Sequence, residues 1–352
     1  FYRDAKYGEL WVGRRFTLDE AKARYQVDTL QLTDLEALLG DGKETLTLRS
    51  VDPAVDPKVK KHDREEEFAT FVSEQRLCKD EYEIREMQAA VDATALGFND
   101  VIHAMPAAVE TPRGERVLDA AFYGRARILG NDLGYNTIVG AGSHACVLHW
   151  IRNDGDVRRG ELVLIDAGVE VESFYTADIT RTLPVDGKFS PAQRALYMLV
   201  YESQLAGFAA IKPGVLFSEI NKACQAVLAK GLADMGVLTV SAEESLKPEV
   251  GLHRRWTLHG VSHHLGLDVH DCAQARKEQY LDAPLREGMV LTVEPGLYIQ
   301  PDDELFAPEY RGIGIRIEDD VVVTADGCRN ISENIPRHPD EIEKWMKSVL
   351  GR

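Results

Sequence analysis

Four acidic residues occur as two pairs at or close to the ends of short apolar segments. Asp166 ends the apolar run 162–165 and Asp178 follows it 12 positions later, while Glu294 and Glu318 repeat the arrangement nearer the C-terminus. An acid at the end of a strand is usually solvated, so each residue taken alone has an ordinary explanation. If the strands converge, however, buried carboxylates repel one another strongly unless a cation lies between them. The pattern therefore predicts a metal site with carboxylate ligands.

Histidines supply the nitrogen donor that such a site needs. Residues 259–271 hold four of the chain's ten histidines, namely His259, His263, His264 and His270. The sequence has no HExxH motif, so the helical zinc-protease pattern does not apply. It also has no GxSxG motif, which gives serine hydrolase chemistry little support. One nitrogen with four carboxylates is an oxygen-rich set that favours pairs of Mn²⁺, Co²⁺ or Zn²⁺ over a thiolate zinc site.

The composition restricts the partners and the compartment. The 352 residues include 41 Lys and Arg against 58 Asp and Glu, and the net charge of −17 argues against general nucleic-acid binding. Five scattered cysteines form no CxxC pair, so we expect free thiols and a cytoplasmic location. No apolar run is long enough to cross a bilayer, and no signal peptide is visible. Because the first residue is Phe1, we expect part of the N-terminal region, any signal included, to be missing.

The helices that must position these residues follow from periodicity and capping. Apolar residues recur at helical spacing from Glu81 to Met105, and a second helix is predicted for 115–129. Ser190 opens a third helix with a capping box, and Ser218 is predicted to cap a fourth.

Strand signals separate these helices and carry the acids. They cover 162–165, 174–184, 289–299 and 313–324. The segment between Asp166 and Asp178 can turn back as a hairpin, which would bring the two carboxylates together. Helices followed by two acid-bearing strands occur at 81–184 and again at 190–324, which predicts two related halves that face each other across the site.

The first 75 residues differ from the rest of the chain. They contain no cluster of His, Asp or Glu at catalytic spacing. Glu9–Val12 is predicted to form a short strand, and the Pro- and Lys-rich stretch 51–61 is predicted to form a loop. We interpret this part as a structural or assembly segment.

In this order along the chain, the acids and the histidine resemble the metal site of the M24 metallopeptidases, closest to the aminopeptidase P branch. The resemblance covers residues 78–340. It rests on six blocks in matching order, which are Tyr135–His149, Leu164–Gly168, Asp178–Thr182, His259–Asp271, Val293–Tyr298 and Gly312–Asp320.

The resemblance implies an α+β fold with two domains. Residues 78–352 would form the pita-bread (creatinase/aminopeptidase) catalytic domain with pseudo-twofold halves. Residues 1–77 would be the later part of a smaller α/β N-terminal domain that serves assembly, with about half of that domain absent. A homodimer or homotetramer is the expected oligomer.

Roles for the metal-site residues are implied by the same resemblance. Asp166 would hold one of two divalent ions, His263 and Glu294 the other, and Asp178 and Glu318 would bridge both. We expect Mn²⁺, with Zn²⁺ and Co²⁺ as alternatives. The two ions would share a water and lower its pKa, so that a hydroxide nucleophile forms near neutral pH.

The residues around the metals also receive roles from the resemblance. Glu294 would take the proton of the nucleophile, while His149 and His270 would bind substrate and stabilise the tetrahedral intermediate. His259, Tyr298 and Arg316 would shape the substrate pocket, and Arg316 would orient carboxylates and offset their charge.

The implied function is hydrolysis of the N-terminal Xaa-Pro bond of peptides. Three alternatives remain: a prolidase restricted to dipeptides, a non-catalytic binding protein on the same fold, and a creatinase-like enzyme. The complete ligand set disfavours the last two. Two departures from the family pattern stand out. The interval from Asp166 to Asp178 is one residue longer than expected, and His264 replaces an expected aromatic, which would alter the shape of the pocket.

Overall fold

The computed structural model describes residues 5–43 and 45–351, and the chain divides into two compact units, 1–71 and 72–352. The sequence predicts a boundary between residues 77 and 78, whereas this division lies within the helix Glu65–Gln75. The helices are α1 Ala5–Val12, α2 Leu18–Tyr25, α3 Leu35–Leu39, α4 Glu65–Gln75, α5 Glu81–Glu110, α6 Gly114–Leu129, α7 Pro191–Ala210, α8 Ser218–Asp234, α9 Ala242–Ser245 and α10 Pro339–Val349. Short 3₁₀ turns cover Leu32–Asp34, Asp56–Lys58, Gly142–Cys146, Leu252–Arg255, Lys277–Gln279 and Pro308–Tyr310.

The N-terminal unit contains α1 to α3 and a segment held by a partly buried ion pair. Arg49 donates to the carboxylate of Glu65 and to the carbonyl oxygens of Asp56 and Val59. The strand predicted for Glu9–Val12 is wrong, because these residues end α1. The four-residue window could not exclude a helix, and Ala, Lys, Glu and Leu are strong helix formers.

The long helices of the second unit pack as two pairs, α5 with α6 and α7 with α8, and each pair meets at a glycine. A Cβ on Gly97 of α5 would lie 2.5 Å from the ring of Phe122 in α6. A Cβ on Gly231 of α8 would lie 2.3 Å from Leu199 in α7. Both pairs therefore pack too closely for a side chain at that position. None of the helices within the described residues combines the length and apolar character that a membrane crossing needs.

Helix starts follow the capping prediction in one case and depart from it in another. Ser190 caps α7, where its hydroxyl accepts from the Gln193 N–H and the Gln193 side chain accepts from the Ser190 N–H, as predicted. The predicted cap at Ser218 is wrong. Ser218 is the first residue of α8, and Phe217 before it already has helical dihedrals (φ −49°, ψ −39°), so the extended cap conformation is lost.

Within the described part of the chain, the strands form two three-stranded antiparallel sheets and two two-stranded ones. Their bounds are β1 Asp132–Leu133, β2 Ile138–Ala141, β3 Leu162–Ala167, β4 Val169–Glu170, β5 Ile179–Pro184, β6 Val290–Val293, β7 Gly296–Tyr298, β8 Gly314–Arg316, β9 Asp319–Val323 and β10 Cys328–Asn330. The sheet orders are β2-β3-β5, β10-β9-β6, β1-β4 and β7-β8. Each half thus supplies two long helices and a three-stranded sheet, which confirms the predicted pair of related halves.

Three predicted strands are shorter or divided. The run 289–299 breaks after Val293, where Pro295 has no N–H to donate to a ladder. The run 313–324 breaks around Glu318, and the run 174–184 begins only at Ile179. The breaks adjoin the predicted metal ligands, so the acids lie where strand pairing stops.

Candidate metal and peptide site

A cavity of about 550 Å³ between the two halves of the second unit contains the predicted site. All five predicted metal ligands line it, and so do His149, His259, His270 and Arg316. Tyr298 is not among the lining residues. It lies behind the wall, where its hydroxyl is 2.7 Å from His259 Nε2 and 3.1 Å from Arg316 Nη1.

Strand register brings the first-half acids to the cavity. Asp166 lies in β3 opposite Thr180 of β5, and Asp178 precedes β5 by one residue, so the predicted hairpin is present. The second half joins here through Glu318, whose backbone N–H donates to the Thr180 oxygen at 3.1 Å. The Thr180 hydroxyl in turn donates to Glu318 Oε2 at 2.6 Å.

His263 faces acids from both halves. Its Nε2 lies 3.3 Å from Asp178 Oδ2 and 3.5 Å from Glu294 Oε1. Thr292 of β6 holds the backbone of His263, accepting from its N–H at 3.2 Å and donating to its oxygen at 2.9 Å. One donor atom from each of Asp178, His263 and Glu318 falls within 4.8 Å of the others.

The raised pKa values of Glu294 and Glu318 indicate that the clustered acids resist ionisation when no cation is bound. Burial, reinforced by Asp178 and opposed by His263, raises the pKa of Glu294 to about 7. Burial and the charges of Asp178 and Glu294 raise the pKa of Glu318 well above its usual value. Burial lowers the pKa of His263, but its hydrogen bond to Asp178 and the charge of Glu294 raise it to about 9. When ionised, the four carboxylates carry more negative charge than Arg316 and a protonated His263 offset. Two divalent cations would neutralise that excess, so the residues fit a metal pair.

Tyr135 is a site residue that the sequence analysis missed. Its hydroxyl lies 2.6 Å from Asp166 Oδ1 and 2.5 Å from Asp178 Oδ1. Because this one hydroxyl contacts both carboxylates, it holds Asp166 and Asp178 next to each other. Burial and the two acids raise the pKa of Tyr135 well above its usual value, which keeps it a donor. The only sequence signal was its place at the start of the first family-like block.

Comparison with known proteins agrees with this geometry. The model of metallopeptidase family M24 matches residues 85–325. The chain belongs to this family. Xaa-Pro aminopeptidase 1 of Streptomyces coelicolor is 49% identical over the whole chain, which spans 71% of that relative.

Solved M24 structures share the fold. A histidine-to-alanine variant of Escherichia coli aminopeptidase P matches with a TM-score of 0.86 and 34% identity, covering 99% of this chain and 82% of that one. The zinc-substituted E. coli enzyme in complex with product matches with a TM-score of 0.85 and 34% identity, covering 99% and 81%. The pita-bread fold expected for this M24 chain is therefore confirmed.

A hydrogen-bond relay supports one wall of the M24 cavity. Arg316 donates to the Tyr298 hydroxyl, which donates to His259 Nε2, and His259 Nδ1 donates to the Gly260 oxygen at 2.8 Å. Burial and the charge of Arg316 lower the pKa of His259 to about 4, so the ring is neutral. The Arg316 guanidinium also bonds Asp166, which ties this relay to a predicted metal ligand.

His149 and His270 are exposed within the cavity, where a substrate can reach them. Burial and the nearby charge of His263 lower the pKa of His270. The rings of His270 and His263 meet edge to face with centroids 4.5 Å apart.

Glu115 anchors the segment that carries His149, and sequence reasoning missed it. This fully buried acid on the first turn of α6 accepts from the backbone N–H groups of Ala141 and Gly155 at 2.8 and 2.6 Å. It also accepts from Trp150 Nε1 at 2.9 Å and contacts His144. Four partners at both ends of one loop leave little freedom for the position of His149.

The expectation that His264 alters the pocket is wrong, because His264 does not line the cavity. It is buried in an aromatic cluster, stacked on Phe217 at 5.6 Å and edge to face with Tyr280 at 4.5 Å. Burial and the charge of Lys79 lower its pKa well below the usual value, so it packs as a neutral ring in an aromatic position.

Proposed function

We infer that this chain is a metallo-aminopeptidase that hydrolyses the bond between an N-terminal residue and a following proline. The observation that carries the inference is one cavity lined by Asp166, Asp178, His263, Glu294 and Glu318, in an M24 chain whose relatives are named Xaa-Pro aminopeptidases. Peptides with proline in the second position are its substrates.

The finer assignment of ligands is also a proposal. Asp166 would hold one divalent ion, His263 and Glu294 would hold the other, and Asp178 and Glu318 would serve both. Bound there, the ions would supply a water of lowered pKa as the nucleophile. Manganese is our proposed ion, supported by four carboxylates against one imidazole.

The chain's own residues supply the remaining chemistry. Glu294 lines the cavity beside His263, where its carboxylate can accept a proton from the attacking water. It can return that proton to the proline nitrogen as the peptide bond breaks. His149 and His270, both open to the cavity, would donate hydrogen bonds to the carbonyl oxygen as it gains negative charge.

A peptide panel tests the function against the prolidase alternative. The purified chain, loaded with Mn²⁺, Zn²⁺ or Co²⁺, is given Xaa-Pro dipeptides and longer peptides that begin Xaa-Pro. We expect release of the first residue from the longer peptides. Cleavage of dipeptides alone would establish the prolidase, and a folded protein without metal or hydrolysis would refute both.

Two variants test the residue roles. Replacing Asp178 with Ala should abolish activity and weaken binding of both ions, because a bridging ligand serves both. Replacing His149 with Ala should lower turnover while metal content, measured by elemental analysis, stays at the wild-type value. Equal metal loss in the His149 variant would contradict its assignment to substrate.

Assembly and location complete the proposal. We assign residues 1–77 to assembly and expect a homodimer or homotetramer, which light scattering on the full chain and on a variant lacking 1–77 would test. All five cysteines are free thiols, which is typical of cytoplasmic proteins. Cell fractionation tests that location.

A further inference from the structure

A second cavity of about 560 Å³ adjoins the candidate active site. The two cavities share His259 and Gly260 as lining residues. That shared wall lies close to the reaction centre, because His259 Nδ1 is 3.5 Å from Glu294 Oε2. We call this second cavity, built from α8 and residues 246–254, the basic chamber.

The basic chamber carries only one sign of charge. Its charged lining residues are Lys222, Lys247 and Arg254, and none of the described Asp or Glu residues lines it. In a chain with a net charge of −17, such a concentration of positive charge is unusual. Lys222 pairs with Glu219 outside the lining. Lys247 likewise pairs with Glu244.

Arg254 is the cation available to a ligand. Within residues 5–43 and 45–351, no carboxylate comes within 4.0 Å of its guanidinium to form an ion pair. Gln225, a buried residue of the same lining, accepts from the Thr257 hydroxyl at 2.8 Å through Oε1. Its amide NH₂ group remains for a second partner. The chamber thus offers a guanidinium and an amide donor, the groups that recognise a carboxylate.

We propose that the basic chamber binds an acidic residue of the peptide substrate downstream of the proline, an inference that rests on the proposed function. Because an extended peptide advances about 3.3–3.6 Å per residue, a chain with its first two residues at Glu294 passes His259 within a few residues. We assign the carboxylate of a residue at position four or five to Arg254, which lines the same cavity as His259. The enzyme therefore prefers Xaa-Pro peptides with Asp or Glu at these positions.

Matched peptides test the preference. Ala-Pro-Gly-Gly-Glu-amide is compared with its Gln counterpart, while Ala-Pro-Gly-amide measures the catalytic step without the chamber. The wild-type protein should show a KM about fivefold lower for the Glu peptide at low salt, since an exposed ion pair contributes up to about 1 kcal/mol. Higher salt should reduce the difference.

Two variants of Arg254 and one control locate the effect. Arg254→Ala should bring the ratio of the two KM values to about one, and Arg254→Glu should reverse the preference. Lys230→Ala, which removes a cation on the outer face of α8 that pairs with Asp234, should retain the wild-type ratio. Equal KM values in the wild-type protein, or a preference that survives both Arg254 changes, would overturn the proposal.

Binding measurements separate this inference from the proposed function. If none of the peptides is cleaved, including Ala-Pro-Gly-amide, the proposed function fails. The chamber is then judged by calorimetric titration of the Glu and Gln peptides. Tighter binding of the Glu peptide that is lost in Arg254→Ala supports the chamber, and equal binding refutes it.

Discussion

Replacing Glu294 with Gln should stabilise the cation-free protein at alkaline pH. The Glu294 side chain is 15% exposed, and its pKa of about 7 in the fold compares with 4.5 in an unfolded chain. Because the folded-state pKa is the higher one, the folded protein retains a proton that the unfolded chain releases. Stability therefore falls as pH rises from 4.5 to 7 and is constant above that range.

The magnitude follows from this difference in pKa. Linkage gives a destabilisation of about 1 kcal/mol at pH 5 and about 3 kcal/mol at pH 8. Gln has the shape of the protonated acid and does not titrate, so the variant should escape this penalty. At roughly 2 °C per kcal/mol, the melting temperature at pH 8 should rise by about 6 °C.

Thermal melts after chelation, at pH 5 and pH 8, measure the effect. Glu172→Gln, a change to an exposed acid in the turn before Asp178, is the matched control and should leave both melts unchanged. With Mn²⁺ added, the wild-type protein should have the higher melting temperature. Binding of ions stabilises the wild-type fold, whereas the Glu294→Gln variant has lost a ligand. Equal melting temperatures of the cation-free proteins at pH 8 would refute the electrostatic reasoning.

Three further variants test the surroundings of the site. Tyr135→Phe should weaken metal binding about tenfold in a competitive titration, because the hydroxyl that fixes Asp166 and Asp178 is lost. Glu115→Ala should lower kcat with metal content retained, and Glu115→Gln should recover part of the loss, whereas metal loss in both would contradict a role in positioning His149. Arg181→Met should lower the free energy of unfolding in urea by about 4 kcal/mol, because it leaves a buried acid unpaired, and an unchanged value would contradict this.

The sequence was sufficient for the features that depend on local order. The buried residues of α5 follow the apolar spacing that predicted this helix. The capping box of Ser190 forms with Gln193, only three positions later. The acids were found because each follows or interrupts a short apolar segment. These signals lie within a few residues of one another, where periodicity and capping are readable.

Features that depend on distant partners could not be read in this way. Glu115 looks like an ordinary acid in the first turn of a helix, where the helix dipole favours it. Its partner Trp150 is 35 positions away, and nothing local reveals that contact. The basic chamber likewise combines α8 with residues some 25 positions later.

Asp178 and Glu318, the proposed bridging ligands, have comparable places in the two halves. In the first half, Asp166 of β3 lies opposite Thr180 of β5, and Asp178 is two residues before Thr180. In the second half, Thr292 of β6 lies opposite Asp320 of β9, and Glu318 is two residues before Asp320. Each acid thus lies immediately before the first residue of a strand, Asp178 before β5 and Glu318 before β9.

That equivalence predicts how the two acids should respond to mutation. Residues at equivalent positions in two facing halves approach the centre equally, and the Thr180–Glu318 hydrogen bonds hold the halves together at that point. Asp178→Asn and Glu318→Gln should therefore reduce the number of bound ions to the same extent. Asp166→Asn, which changes a ligand of one ion, should leave the other ion bound. Loss of a single ion from either bridging variant, measured by elemental analysis, would contradict the equivalence.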